Sequence, residues 1–127
     1  MNEYYILHVC THFNATRALR HYEGACANKH EHTFKVQADV ITPPPNQESG
    51  MVIDFYDIKK RLEEITQHWE HHFLNEITPF DVLNPTNENL AKYCFENLSK
   101  NLNHPLARVQ SITIWENQEA GVTYHVQ

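Results

Sequence analysis

Two stretches of the chain alternate strictly between apolar and polar positions. In residues 4 to 17, Tyr5, Leu7, Val9, Phe13 and Ala15 fall on one face and His8, Cys10 and His12 on the other. Successive side chains of a strand point to opposite faces, so this is a strand pattern. A second strand is predicted over about residues 30 to 41. His30, His32, Phe34, Val36, Ala38 and Val40 share its inner face, and Glu31, Thr33, Lys35, Gln37 and Asp39 point outward. The polar segment Arg20 to Asn28 links the two, and Thr42 to Gly50, with three consecutive prolines, ends the second by removing backbone donors.

The period then changes. Phe55, Ile58, Leu62, Ile65 and Trp69 recur every three or four residues, one apolar stripe of a helix, with Asp54 placed to cap it and Asp57 in its first turn. Residues 74 to 86 read as loop. Thr86 is placed as the N-cap of a second helix carrying Leu90, Cys94, Phe95, Leu98 and Leu102. Strands near 108 to 115 and 121 to 127 follow, joined as a hairpin by the turn from Glu116 to Gly121. The order β-β-α-α-β-β predicts an α+β fold: antiparallel strands with helices packed on one face.

The chain has 127 residues, 41% hydrophobic and 20% charged, which fits one soluble domain, residues 1 to 127, with its own core. No apolar run is long enough to span a bilayer, and Met1-Asn2-Glu3 does not open like a signal peptide, so no membrane association is expected. A formal charge of −6 without a Lys/Arg block argues against a nucleic-acid partner. Three separated cysteines imply no disulfide framework and suit a reducing cytoplasm. Cys10 and Cys94 read as small buried hydrophobes, whereas Cys26 sits in a loop. The compositional outlier is histidine, with ten in the chain. Two imidazoles on one strand face, His30 and His32, suit zinc, although a His-x-His pair arises easily by chance at this histidine content.

Seven segments, in order, carry a resemblance. They are Phe13-Asn-Ala15, Tyr22-Glu-Gly24-Ala-Cys26, His30-Glu-His32, Gly50-Met-Val-Ile-Asp-Phe55, His71-His-Phe-Leu-Asn75, Pro85-Thr-Asn-Glu-Asn-Leu90, and Glu116 followed by Gly121-Val-Thr-Tyr124. Over nearly its whole length the chain resembles the 6-pyruvoyltetrahydropterin synthase and 6-carboxytetrahydropterin synthase family. The resemblance implies the tunnelling fold, a four-stranded antiparallel sheet with two helices on one face. It also implies ring-shaped homo-oligomers with active sites between subunits, and a 7,8-dihydroneopterin triphosphate substrate. The short chain looks more like the bacterial branch, whose product, 6-carboxy-5,6,7,8-tetrahydropterin, feeds queuosine and other deazapurines.

The resemblance also implies roles. Cys26 matches a catalytic cysteine, a thiolate able to take a proton if its pKa is lowered. His71 matches a second base, and Glu70 stands where an aspartate usually precedes it. Glu116 matches a glutamate that grips the pterin ring by two parallel hydrogen bonds. Thr86 is a possible ring contact as well as a cap, and His68 and His72 read as surface residues. Lys29, Arg17 and Arg20 are candidates to attract the triphosphate.

Three histidines hold the family's zinc, and His30 and His32 match two of them. The third belongs in a phrase Phe-x-Ala-Ala-His-x-Leu, which reads Phe13-Asn-Ala-Thr-Arg17-Ala-Leu19 here. A guanidinium offers no lone pair to a metal. His12, through a strand bulge, or His21, from the loop, are the alternative third ligands. Otherwise the Arg17 cation stands in for the metal and stabilises a developing alkoxide, or is structural and snorkels outward. The reading is a 6-carboxytetrahydropterin synthase-like lyase with an altered zinc site, the alternative being a pterin-binding relative without turnover.

Overall fold

The computed structural model describes residues 3–24 and 28–126. Strands β1 (Tyr5–Arg17) and β2 (His30–Thr42) pair antiparallel over their full length, from Tyr5 opposite Thr42 to Arg17 opposite His30, without a register shift. Helix α1 spans Phe55–Thr66 and helix α2 spans Asn87–Leu102, and strands β3 (Arg108–Trp115) and β4 (Gly121–His125) complete a sheet of order β1-β2-β3-β4. Every neighbouring pair is antiparallel. The α+β expectation of a four-stranded antiparallel sheet with two helices is met.

The alternating pattern decides which face is covered. Val9, Phe13, Ala15, Phe34, Val36, Ala38, Val40, Ile112 and Ile114 are all buried, and they share a core with Ile58, Leu62, Leu90, Cys94 and Leu98 of the helices. The opposite sheet face is polar: Asp39 accepts hydrogen bonds from Gln37 and Ser111 and lies 2.6 Å from Nδ1 of His8. Burial works against the charge of Asp39, but its bonds to Gln37, His8 and Ser111 outweigh this and hold the carboxyl below its ordinary pKa. Cys10 also lies on this face, half-buried beside Gln37, so only Cys94 meets the expectation of a fully buried thiol.

The α1 stripe needs two corrections. Phe55 is 61% exposed, because at the first helical position it projects beyond the core, whereas Ile58, Leu62 and Ile65 point inward. The helix stops at Thr66, yet Trp69 in the following turn is 1% exposed. It lies against Phe13, Phe80 and Tyr93 at centroid distances of 5.2, 5.8 and 5.6 Å. Tyr5, on the inward-facing parity, also stays exposed at the strand's beginning. Within the expected loop 74–86, Leu74–Glu76 forms a short 3-10 helix, with Leu74 and Phe80 buried. Both helix caps form as predicted: Asp54 accepts from the Tyr56 N–H at 3.0 Å and Thr86 from the Asn89 N–H at 3.2 Å.

β4 is shorter than expected, ending at His125. At the β3–β4 turn the Glu116 N–H donates to the Ala120 carbonyl at 3.0 Å. A Cβ at Gly121 would lie 2.6 Å from the Trp115 ring, so any larger residue there would have to displace the indole. Among the described residues no helix is long and apolar enough to cross a membrane.

Burial ranks the contributions to stability. Trp69→Ala is expected to cost about 3–5 kcal/mol, the range for truncating a buried large aromatic. Arg61→Ala breaks only the exposed pair with Glu64 at 3.1 Å, and is expected to cost under about 0.5 kcal/mol. Urea unfolding of both variants checks the ranking.

Candidate functional site

At the last residue of β1 the strand pattern places a guanidinium on the buried face. Arg17 is buried, not snorkelled into solvent. One terminal nitrogen donates to the Pro85 carbonyl at 3.0 Å and to Oδ1 of Asn87 at 2.7 Å. The other donates to Oε1 of Glu116. Its Cζ lies 4.9 Å from the centroid of Phe34. The cation thus gathers three segments: the end of β1, the approach to α2, and the start of the β3–β4 turn. A buried charge is tolerated only when paired and hydrogen-bonded, and this one is.

Glu116 is partly exposed: its side chain is 24% accessible, against 4% for Arg17. Thr86, beside this cluster in sequence, is occupied as the α2 cap. His32 is half-buried, with its ring 5.5 Å from that of Phe34, and so lies on the same side of the sheet as Arg17. The backbone of His30 pairs with Arg17, but its side chain lies outside the described residues, as does Cys26.

The second group of predicted residues lies at the outer edge of β1. The segment 70–73 runs along this edge: the His71 N–H donates to the Asn14 carbonyl at 2.6 Å and the Thr16 N–H to the His72 carbonyl at 3.0 Å. Glu70 accepts from both the side chain of Asn14, at 2.9 Å, and its backbone N–H, at 3.1 Å. The Asn14 side chain is held in turn by Thr33 at 2.5 Å, on the polar face. Glu70 has a lowered pKa chiefly through the Asn14 side-chain bond; some burial opposes this, and the Asn14 N–H and nearby His71 reinforce it. His71 projects into solvent, 74% exposed, with Nε2 at 3.4 Å from Glu70, and its backbone adopts φ 59°. His68 and His72 are surface residues, as expected.

The expected triphosphate cations are engaged locally. Arg20 donates to the carbonyls of Leu83 and Phe80 at 3.0 and 2.8 Å, stapling residue 20 to the 75–84 segment. Nζ of Lys29 lies 4.5 Å from the Phe73 ring centroid. Sequence reasoning missed Asn87 and Asn14, the acceptor for Arg17 and the donor to Glu70. Neither stands out along the chain, because each is defined by a partner about 56 to 70 residues away.

A three-imidazole zinc site does not fit these residues. Position 17 supplies a cation whose nitrogens carry no lone pair for a metal, and that cation is committed to Glu116, Asn87 and Pro85. Neither alternative ligand repairs it. His12 lies exposed on the polar face, in a β1–β2 ladder with no bulge to turn it inward, and lines a recess with Thr33, Lys35 and Trp115. His21 is exposed in the loop with φ 57°. Among the described residues no three His, Cys, Asp or Glu side chains converge as a metal-binding group.

Known proteins match along this whole architecture. The sequence profile described as 6-pyruvoyl tetrahydropterin synthase matches residues 6–127. A 6-carboxy-5,6,7,8-tetrahydropterin synthase from Synechocystis sp. is 32% identical over 92 residues, 69% of this chain and 70% of the relative. A dihydroneopterin monophosphate aldolase from Pyrococcus furiosus is 32% identical over 93 residues, 73% and 75% of the two chains. The structure of the 6-pyruvoyl tetrahydropterin synthase of Caenorhabditis elegans superposes with a TM-score of 0.86 at 23% identity, covering 98% of this chain and 97% of that one. A profile match from β1 to the carboxyl end, on a fold that superposes throughout, leaves one assignment: the chain belongs to the 6-pyruvoyl tetrahydropterin synthase family.

Proposed function

We propose that this protein is a pterin lyase of the 6-carboxy-5,6,7,8-tetrahydropterin synthase kind, converting 7,8-dihydroneopterin triphosphate on the route to queuosine and other deazapurines. The observation that carries the reading is Glu116, a carboxylate held by Arg17 just beyond β3 and still partly exposed. Its two oxygens match adjacent N–H and amino donors on a pterin edge. The relative from Synechocystis sp., which carries that activity in its name, supports the choice of reaction.

In this reading Cys26, as thiolate, takes a proton from the substrate side chain, and His71 returns one. Glu70, held by Asn14, orients His71. No step is routed through zinc, because the donor set does not fit it. That misfit is also what favours the second reading, a pterin-binding protein without turnover.

Geometry supports a homo-oligomer. Glu70 is anchored to a polar-face side chain at the β1 edge, whereas Arg17, Glu116 and His32 lie on the helix side. One subunit therefore separates the proton-handling pair from the ring-gripping carboxylate, and a neighbouring copy would complete the site. Among the described residues no strand pairs with the outer edge of β4 or of the first half of β1, and such edges invite strand addition.

Incubating the purified protein with 7,8-dihydroneopterin triphosphate, with and without zinc, should yield 6-carboxytetrahydropterin by mass spectrometry. Tight pterin binding with no product under either condition would leave the second reading. Cys26→Ala and His71→Ala should each lower kcat by about 100-fold or more, the usual scale for general acid–base groups. Arg17→His is expected to raise zinc content per subunit, and unchanged content would remove position 17 as a ligand position. Because the Glu70 pKa is depressed, its stabilising bonds with Asn14 are complete above the ordinary carboxylate range and are lost as pH falls through the folded-state value. Asn14→Ala should move the Glu70 titration upward, as read by carbon NMR of the carboxyl group.

A further inference from the structure

Arg17 stands where the family pattern has a metal ligand, yet its guanidinium is turned to the opposite task. It is buried and stacked at 4.9 Å on Phe34, with hydrogen bonds to Pro85, Asn87 and Glu116. These contacts come from three segments and fix the plane of the guanidinium. The carboxylate of Glu116 is then held by the buried guanidinium, through Oε1. Its backbone is fixed independently by the hairpin bond to Ala120 and by the close packing of Trp115 on Gly121. A glutamate at a strand end normally samples several rotamers, and a rigid fork beneath it removes that freedom.

We propose that Arg17 is a positioning residue: it holds Glu116 so that the carboxylate meets the N–H and amino edge of a pterin ring, and thereby sets selectivity for that edge. The proposal rests on the pterin reading of the site and deepens it. Arg17 acts through Glu116 and need not touch the ligand. The replacement at position 17 thus exchanges a ligand to a metal for preorganisation of the ring-binding group. Asn87 belongs to the same device, because it fixes the other side of the guanidinium.

The test is binding of two ligands to the full-length protein, followed by intrinsic and ligand fluorescence. One is neopterin, which carries the 2-amino group, and the other is its 2-oxo analogue, which lacks it. Wild-type protein should prefer neopterin by at least about tenfold, well within the discrimination open to a site built for an N–H donor when the analogue lacks it. Arg17→Met should lose most of that preference, Arg17→Lys should restore part of it, and Asn87→Ala should fall between Met and wild type. With Glu116→Gln already present, Arg17→Met should change the preference little. Glu116 is partly exposed and can be hydrated when its partner is removed, so Arg17→Met should fold; should it not, Asn87→Ala and Arg17→Lys carry the test. An unchanged ratio in the folded variants, or equal weakening toward both ligands, would overturn the positioning role while leaving the pterin reading intact. If wild-type protein binds neither ligand, the pterin reading fails and this proposal with it.

Discussion

The register of β1 against β2 is the constraint on which the site depends. Thirteen residues of each strand pair without a slip, and the side-chain period of two then determines what every residue faces. Sliding one strand by a single position would send Phe34 and Val36 into solvent and carry His32 and Arg17 to opposite sides of the sheet. The stacked rings of Phe13 and Phe34, 4.9 Å apart at paired positions, resist such a slip. The same packing that forms the core therefore delivers Arg17 to its acceptors.

A buried cation imposes its own demands on the neighbourhood. Losing one acceptor would leave charge uncompensated in a poorly solvated place, so the β1 terminus, the α2 entrance and the β3 terminus must stay together. Helix α2 meets this demand through its start, where Thr86 caps the backbone while Asn87 turns its side-chain oxygen to Arg17. Local helix chemistry and long-range electrostatics are satisfied by adjacent residues.

Much of this was legible along the chain because it obeys short periods. Alternation placed β1 and β2 within a residue of their bounds, and the caps at Asp54 and Thr86 marked both helix starts. The errors have physical causes. Phe55 fits the helical spacing but stands where the helix has not yet reached the core, and Trp69 is buried by a turn that no helical period describes. Arg17 was recognisable as a misfit to a three-histidine site, but its destination was not. Its partners lie 68 to 99 positions away and are brought near only by the sheet order. The separation of Glu70 from Glu116 across the sheet was equally invisible in one dimension.

The contact between Gly121 and Trp115 has an evolutionary corollary. A methyl group at position 121 would collide with the indole, and relief would require the half-buried ring or the strand end beside the carboxylate to shift. Substitution in this part of the molecule is thus limited by a residue that has no side chain at all.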